Sequence, residues 1–205
     1  MAGKMWIGLS DIVVFPIEAG DTYGTALPLE GAVDLSFQKS SETVPFYADN
    51  GIHASATTNA GYEVTLNVAS LGAEDRQKLF GMTLDNNKVL MSKKNDQPKE
   101  IALVGSILIN DPKNPAYDKI KICFYKGRFN FPSHSASTKG ESIDFKSQEL
   151  TGLFYADKNG NEFAMLDPEV QNMTNLESIY NDWETTPYKE NKVIGLSLEV
   201  GKEEE

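Results

Sequence analysis

The chain has 205 residues, of which 40% are hydrophobic, and 19 basic against 30 acidic residues give it a formal net charge of −11. This length fits one large or two small globular domains. The negative charge argues against a protein that binds nucleic acid through its phosphates. No apolar run approaches the roughly 20 residues of a membrane helix, which argues against a helical membrane protein.

The N-terminus and the cysteine content indicate a cellular compartment. The first residues lack the apolar stretch of a secretory signal. Cys123 is the only cysteine and cannot form an internal disulfide. We therefore expect a protein made and folded in the cytoplasm, with Cys123 packed as a small core residue.

Short strands are predicted along the first half of the chain. Apolar and β-branched residues recur in brief runs with turns between them. The runs cover residues 12–15, 32–35, 63–68, 88–91 and 101–104. Many strands in succession, without an internal repeat, favour a β-sandwich or barrel.

Residues 36–61 interrupt this pattern. They are polar, and beyond Phe37 their only large apolar anchors are Val44, Phe46, Tyr47 and Ile52. Such a long polar connection is uncommon in a compact domain and predicts a functional loop between strands. Aromatic residues there favour a contact surface. The alternative is a surface loop with its aromatic side chains folded back on the protein.

One helix is predicted over Ala73–Phe80. Glu74 and Asp75 suit the positive N-terminal end of its dipole, and Lys78 suits the negative end. Gly81 can supply the left-handed residue that ends it.

Residues 117–155 show strand periodicity in its clearest form. Ile120, Ile122 and Phe124 alternate with polar or small residues. We expect a turn at residues 126–127, a further strand over residues 128–131, and two more strands over residues 142–146 and 149–155.

The C-terminal part predicts a helix over residues 175–184 and a strand over residues 194–200. Thr174 and Glu177 have the spacing of a capping box. Leu176, Ile179, Tyr180 and Trp183 form one apolar stripe, which is either core packing or a contact face for a neighbouring subunit. The acidic residues 201–205 are expected to be disordered.

The sequence predicts no catalytic, cofactor or metal site. His53 and His134 fall in predicted loops, without a second ligand at metal-binding spacing. No phosphate-binding glycine loop or nucleophile motif is present. Residues 157–162 lack the ligand spacing of a calcium loop, and Asn159 with Gly160 predicts a hairpin turn. We therefore expect a protein that is not an enzyme.

An ordered series of short motifs resembles the major tail proteins of long-tailed, non-contractile bacteriophages. The matching stretches are residues 6–11, 23–24, 29–32, 46–51, 79–81, 124–129, 138–145 and 150–152. Each is common by itself, and their order along residues 6–155 carries the resemblance.

The resemblance implies a mainly β fold. It consists of two packed sheets of the tail tube type, with one flanking α-helix, a long inter-strand loop and a short C-terminal helix. It implies a single domain over residues 1–205, with the sandwich in residues 1–155, a C-terminal helix and strand in residues 156–200, and the acidic tail after them.

The resemblance also implies a structural role in the virion, after assembly in the bacterial cytoplasm. Subunits of this kind form hexameric rings that stack into a tube, with the tape measure, tail terminator and tail-tip or baseplate proteins as partners. DNA passes through the lumen without specific binding, and an acidic wall would repel its backbone. By the same resemblance, Phe46, Tyr47 and Asp49 are assigned to the contact surface between subunits.

Two other functions remain open at this stage. The first is a tube protein of a contractile tail or a secretion system, which would share the fold and differ in partners. The second is a β-sandwich module that binds carbohydrate.

Overall fold

A computed structural model describes residues 4–48, 50–110, 118–134, 138, 147–168 and 176–189. Within these residues the chain forms eleven strands and two helices. In chain order they are β1 (Met5–Glu18), β2 (Thr22–Tyr23), β3 (Leu27–Pro28), β4 (Ala32–Ala48), β5 (Gly51–Val68), α1 (Ala73–Phe80), β6 (Thr83–Leu84), β7 (Leu90–Met91), β8 (Ile101–Asn110), β9 (Lys119–Phe129), β10 (Gln148–Tyr155), β11 (Phe163–Leu166) and α2 (Glu177–Asn181).

Nearly all the strands belong to one antiparallel sheet, which confirms the mainly β prediction. Its order is β2-β1-β8-β9-β10-β5-β4. Strand β3 pairs with β1, and β11 pairs with the edge of β9 that β10 leaves free. Strands β6 and β7 form a separate small ladder.

The inner face of the large sheet encloses the main apolar core. Strand β1 also lies against β4 without pairing with it, so the two ends of the sheet approach each other. Side chains from both halves therefore meet in one cluster, as in a β-sandwich. Its fully buried members include Val14, Leu66, Leu103, Ile122, Phe124, Leu150 and Phe154.

Helix α1 closes one end of this core over the predicted residues. The Asp75 carboxylate accepts a hydrogen bond from the Gly72 amide at 3.0 Å, which satisfies one of the unpaired groups of the first turn. Gly81 ends the helix in the left-handed conformation, with φ 68°. Leu79 and Phe80 are buried against the sheet.

The C-terminal segment, residues 176–189, covers part of the outer face of the sheet. Tyr180 and Trp183 are buried there, and the Trp183 indole nitrogen donates to the Ile122 carbonyl at 3.0 Å. Of the two alternatives for this apolar stripe, the structure shows core packing. Helix α2 is shorter than predicted, and the Thr174 of the expected capping box lies outside the described residues.

The turn predicted at residues 126–127 is wrong, because β9 continues through Gly127 without a break. A side chain at this position would place its Cβ 2.4 Å from the Phe154 ring. Glycine is therefore required here by the close approach of β10, and it does not end the strand.

The described residues of the stretch 36–61 form a hairpin and not the expected loop, which corrects a second prediction. They belong to β4 and β5, whose register runs from Ala32↔Val68 to Ala48↔Gly51. Phe37 packs against the core, but the serine, threonine and alanine residues beyond it show no apolar alternation of the kind that marks a half-buried strand. Cross-strand pairing fixes the strand conformation instead.

A turn forms at Asn159 and Gly160 as predicted, closed by a hydrogen bond from the Gly160 amide to the Asp157 carbonyl at 3.0 Å. It is not the turn of a hairpin, because the strands on either side of it pair with β9 and not with each other. The expected strand over residues 88–91 shortens to Leu90–Met91. The expected strands over residues 142–146 and 194–200, and the acidic tail, lie outside the described residues.

Replacing Gly61 with alanine is expected to destabilise the fold. The added Cβ would lie 2.2 Å from the Phe154 carbonyl oxygen, on a backbone with φ +98°. The left-handed conformation costs of order 1–2 kcal/mol, and the backbone clash adds about 1–3 kcal/mol. Thermal unfolding of the purified variant would measure the loss.

Gly20→Ala is the matched control for this substitution. Gly20 has φ +83°, and nothing lies within 4 Å of an added Cβ. This variant should lose only the conformational part of the free energy. Equal losses in the two variants would contradict a close contact at Gly61.

Candidate assembly surfaces

The distal part of the β4–β5 hairpin projects from the sheet, and we call residues 41–60 the arm. Residues 62–68 of β5 pair with β4 on one edge and with β10 on the other. On the arm side of Tyr62, the two strands pair with each other and with no other strand of the described chain. At about 3.3 Å per residue, the paired strands of the arm are roughly 25 Å long.

A backbone irregularity marks the base of the arm. Gly61 has positive φ and lies directly against the Phe154 backbone of β10. The register of the hairpin also shifts between Ser40 and Ser41. Such a bulge bends a strand pair and increases its twist, which directs the arm away from the sheet.

One face of the arm is apolar. Val44 lies opposite Ala56, and Phe46 lies opposite Ala54, so these four side chains share a face. Val44 and Phe46 are 55% and 63% exposed. The Phe46 ring packs edge to face on the neighbouring His53 ring, with centroids 6.2 Å apart.

The other face of the arm is polar. Thr43 and Thr57 lie opposite each other, and their hydroxyl groups are hydrogen bonded at 2.9 Å. Ser41 and Asn59 occupy the next pair on this face. The arm is therefore amphipathic, although no core covers its apolar side.

The sequence assignment placed three residues in this region. Phe46 lies exposed on the apolar face of the arm, as a contact residue requires. Tyr47 lies in β4 opposite Ile52. Asp49 lies outside the described residues, next to Asn50, which takes the left-handed conformation of a tight turn with φ 62°.

A second exposed surface lies on the outer face of the sheet, and sequence reasoning missed it. The C-terminal segment covers β1, β8, β9 and β11, and it leaves the outer face of β10, β5 and β4 uncovered. We call this area the open face. It comprises Asp34, Ser36, Gln38, Glu63, Thr65, Asn67, Arg128, Glu149, Thr151 and Leu153.

The open face is polar and acidic. Ser36, Thr65 and Thr151 lie side by side in one row across the three strands. Asp34, Glu63 and Glu149 carry its carboxylates. The only sequence signal for the open face is the alternation of polar residues along each strand. This signal does not show that β4, β5 and β10 lie side by side, which the fold decides.

The single basic residue in the open face has an acidic partner beside it. The Arg128 guanidinium donates to the Glu100 carboxylate at 2.8 Å. Burial acts to raise the pKa of Glu100, but hydrogen bonds from Tyr155, Arg128 and Lys126 together hold it below its usual value. The carboxylates of the open face are thus not neutralised by Arg128.

The described residues contain no group of three or more His, Cys, Asp or Glu side chains placed to hold a metal ion. Cys123 is buried, and burial raises the pKa of its thiol to about 12. Among the described helices, none has the length and apolarity needed to cross a membrane.

Comparison with known proteins identifies one family. A family described as phage tail tube protein matches residues 39–185, which is more than half of the chain and includes the arm, most of the open face and α2. No curated protein matches the chain.

Amide hydrogen exchange should separate the arm from the rest of its hairpin. In the dispersed protein, residues 41–60 should exchange much faster than residues 62–68, because only the latter are paired on both edges. The two segments lie on the same strands, so the second is an internal control. Equal protection of the two would contradict a projecting arm.

Proposed function

The chain belongs to the phage tail tube protein family, and we propose that it is the subunit of a long, non-contractile phage tail. It polymerises as hexameric rings that stack into a tube, and the tube conducts DNA into the host. The role is structural and not enzymatic. The subunit is made in the bacterial cytoplasm and ends in the tail of the virion.

The arm is the observation that carries this proposal. An isolated two-stranded ribbon is marginally stable in water, and its free edges are sites for joining another chain. Val44 and Phe46 expose apolar surface that the subunit itself does not cover. A second subunit would bury this surface and satisfy the strand edges.

The charge of the subunit supports a channel for DNA. A basic wall would bind the phosphates through counterion release and hold the DNA. The net charge of −11 and the carboxylates of the open face have the opposite effect. We therefore propose that the open face lines the channel, where the row of small hydroxyl side chains presents a smooth wall.

Assembly is expected to depend on an initiator. The subunit is monomeric in dilute solution and polymerises on a template of tape measure and tail-tip proteins, and a tail terminator stops growth. Negative-stain electron microscopy of the concentrated protein tests the central claim. Stacked rings with a central channel support it. A fixed dimer at every concentration in sedimentation would contradict it.

Substitution of the apolar face of the arm should prevent assembly without unfolding the subunit. The double variant Val44→Ser, Phe46→Ser should keep the wild-type melting temperature, because both side chains are exposed. It should form no tubes at concentrations at which the wild type does. Deletion of residues 43–55, closed by an Asn-Gly turn, should have the same effect.

Substitution of the polar face provides the matched control. Thr43→Ala, Thr57→Ala removes only the hydroxyl pair on the opposite side of the same ribbon. This variant should still assemble. Tubes formed by the serine variant would overturn the role of the arm.

Reagent size tests the position of the open face. Thr151→Cys in assembled tubes should react with a small maleimide but not with a maleimide coupled to a globular protein too large for the channel. Native Cys123 is buried and does not compete. Lys158→Cys, which is exposed outside the open face, should react with both reagents.

In the dispersed subunit both cysteine variants should react with both reagents, because both positions are exposed. Comparing the dispersed subunit with the tubes shows whether the tube or the fold of the subunit shields each cysteine from the large reagent. Rapid reaction of Thr151→Cys with the large reagent in tubes would place the open face outside the channel.

A further inference from the structure

A groove of about 1000 Å³ lies beside the C-terminal segment, where four parts of the chain meet. They are the β1–β2 hairpin, the middle of β9, the loop between β10 and β11, and residues 186–189. The groove is as large as the pockets in which proteins bind small molecules. We call it the tyrosine groove, because Tyr23, Tyr125 and Tyr188 line it.

The three tyrosine rings are held in place by the fold. Tyr125 belongs to the buried cluster on the outer side of the sheet, and Tyr23 and Tyr188 pack against this cluster. The Tyr188 ring also stacks on the Trp183 ring, with centroids 5.4 Å apart and planes 13° from parallel. The aromatic wall of the groove is therefore formed before any ligand enters, which lowers the entropy cost of binding.

The Tyr125 hydroxyl faces the groove without a partner. Tyr125 is 5% exposed, and its hydroxyl has no hydrogen-bond partner among the described residues. Every fully buried polar side-chain atom of the described chain has a partner, so this hydroxyl is not enclosed by protein. Burial raises the pKa of Tyr125 well above that of an ordinary phenol. The hydroxyl therefore keeps its proton and can donate to a ligand oxygen.

The two aspartates of the tyrosine groove are occupied by other groups of the protein. Asp21 pairs with Lys126 at 2.9 Å. The Asp157 carboxylate accepts from the backbone amides of Asn159 and Asn161, at 2.8 and 2.9 Å. These bonds fix the hairpin and the loop that form two walls of the groove.

Two further lysines give the groove positive charge. Lys158 and Lys189 are exposed, lie on different walls, and make no salt bridge within the described part of the chain. In a chain with a net charge of −11, they form a local site that favours an anion.

We propose that the tyrosine groove binds an acidic saccharide, a sugar ring that carries a carboxylate or a phosphate. The apolar face of the ring stacks on the tyrosine side chains, a ring oxygen accepts from Tyr125, and the acidic group lies between Lys158 and Lys189. Asn161 and Thr186, which also line the groove, supply an amide and a hydroxyl for the remaining sugar hydroxyl groups.

This binding goes beyond the proposed function and does not depend on it. In an assembled tail the groove would recur in every subunit, and many weak sites would together hold a polysaccharide surface strongly. Only this consequence rests on the proposed function.

Calorimetric titration of the dispersed, full-length protein tests the site. D-glucuronate and the phosphate ester of D-glucose should each bind once per subunit. D-glucose, inorganic phosphate and acetate should bind at least about tenfold more weakly, because each lacks either the charge or the ring. Absence of saturable binding of both acidic sugars up to about 10 mM would overturn the proposal. Tighter binding of adenosine monophosphate would also overturn it and indicate a nucleotide site.

Tyr125→Phe separates the binding role of the hydroxyl from the structural role of the ring. The melting temperature should not fall, because the hydroxyl has no partner among the described residues. The affinity for glucuronate should fall by about tenfold. A wild-type affinity in this variant would contradict the placement of the sugar against Tyr125.

Lys158→Gln, Lys189→Gln should reduce the affinity for glucuronate to that for glucose, because the preference for charge is lost. Lys93→Gln, Lys94→Gln is the control of equal charge change at exposed positions outside the groove, and it should bind as the wild type does. Equal losses in the two double variants would indicate a response to net charge and overturn the site. Since the dispersed subunit is used, failure of the protein to form tubes would overturn the proposed function and leave this result unaffected.

Discussion

Strand β9 sets the limits of the whole sheet, because it is buried on both faces and both of its edges are in use. One edge pairs with β8 along its length. The other pairs first with β10, over residues 126–129, and then with β11, over residues 121–124. Strand β10 therefore leaves the sheet early, and β5 loses its partner at Tyr62. The arm exists because the hairpin continues past this point, and none of the described strands lies beside it.

The two faces of the sheet differ in how much of their surface is buried. Inside, large apolar side chains from both ends of the sheet fill one core. Outside, the C-terminal segment covers only the half that bears Val104, Cys123 and Tyr125. Tyr180 and Trp183 are buried there, and the Trp183 indole donates a hydrogen bond to the Ile122 carbonyl. The uncovered half carries mostly polar side chains that are compatible with contact with water, as the proposed wall of a channel requires.

The two ends of the molecule also differ in the surfaces that they expose. The arm exposes apolar side chains at one end, whereas helix α1 closes the core at the other end. A protein that forms a closed dimer needs one self-complementary patch, and the proposed tube needs two patches that fit each other and not themselves.

The sequence by itself determined those helices and strands that are marked by capping residues or by apolar periodicity. Helix α1 was predictable from its acidic first turn and Gly81, and the buried strands from apolar alternation. The motif order indicated the family. The assignment of Phe46 to a contact surface stays a prediction, and the structure shows its side chain exposed. Sequence could not show that the described residues of the arm, 41–48 and 50–60, belong to a strand hairpin, because strand pairing without a buried face leaves no apolar period. The break expected at Gly127 and the hairpin expected at Gly160 failed because the identity of a strand's neighbour is a long-range property. Only the tertiary structure decided where the arm leaves the sheet and which side of the sheet stays open, since each depends on residues brought together from distant parts of the chain.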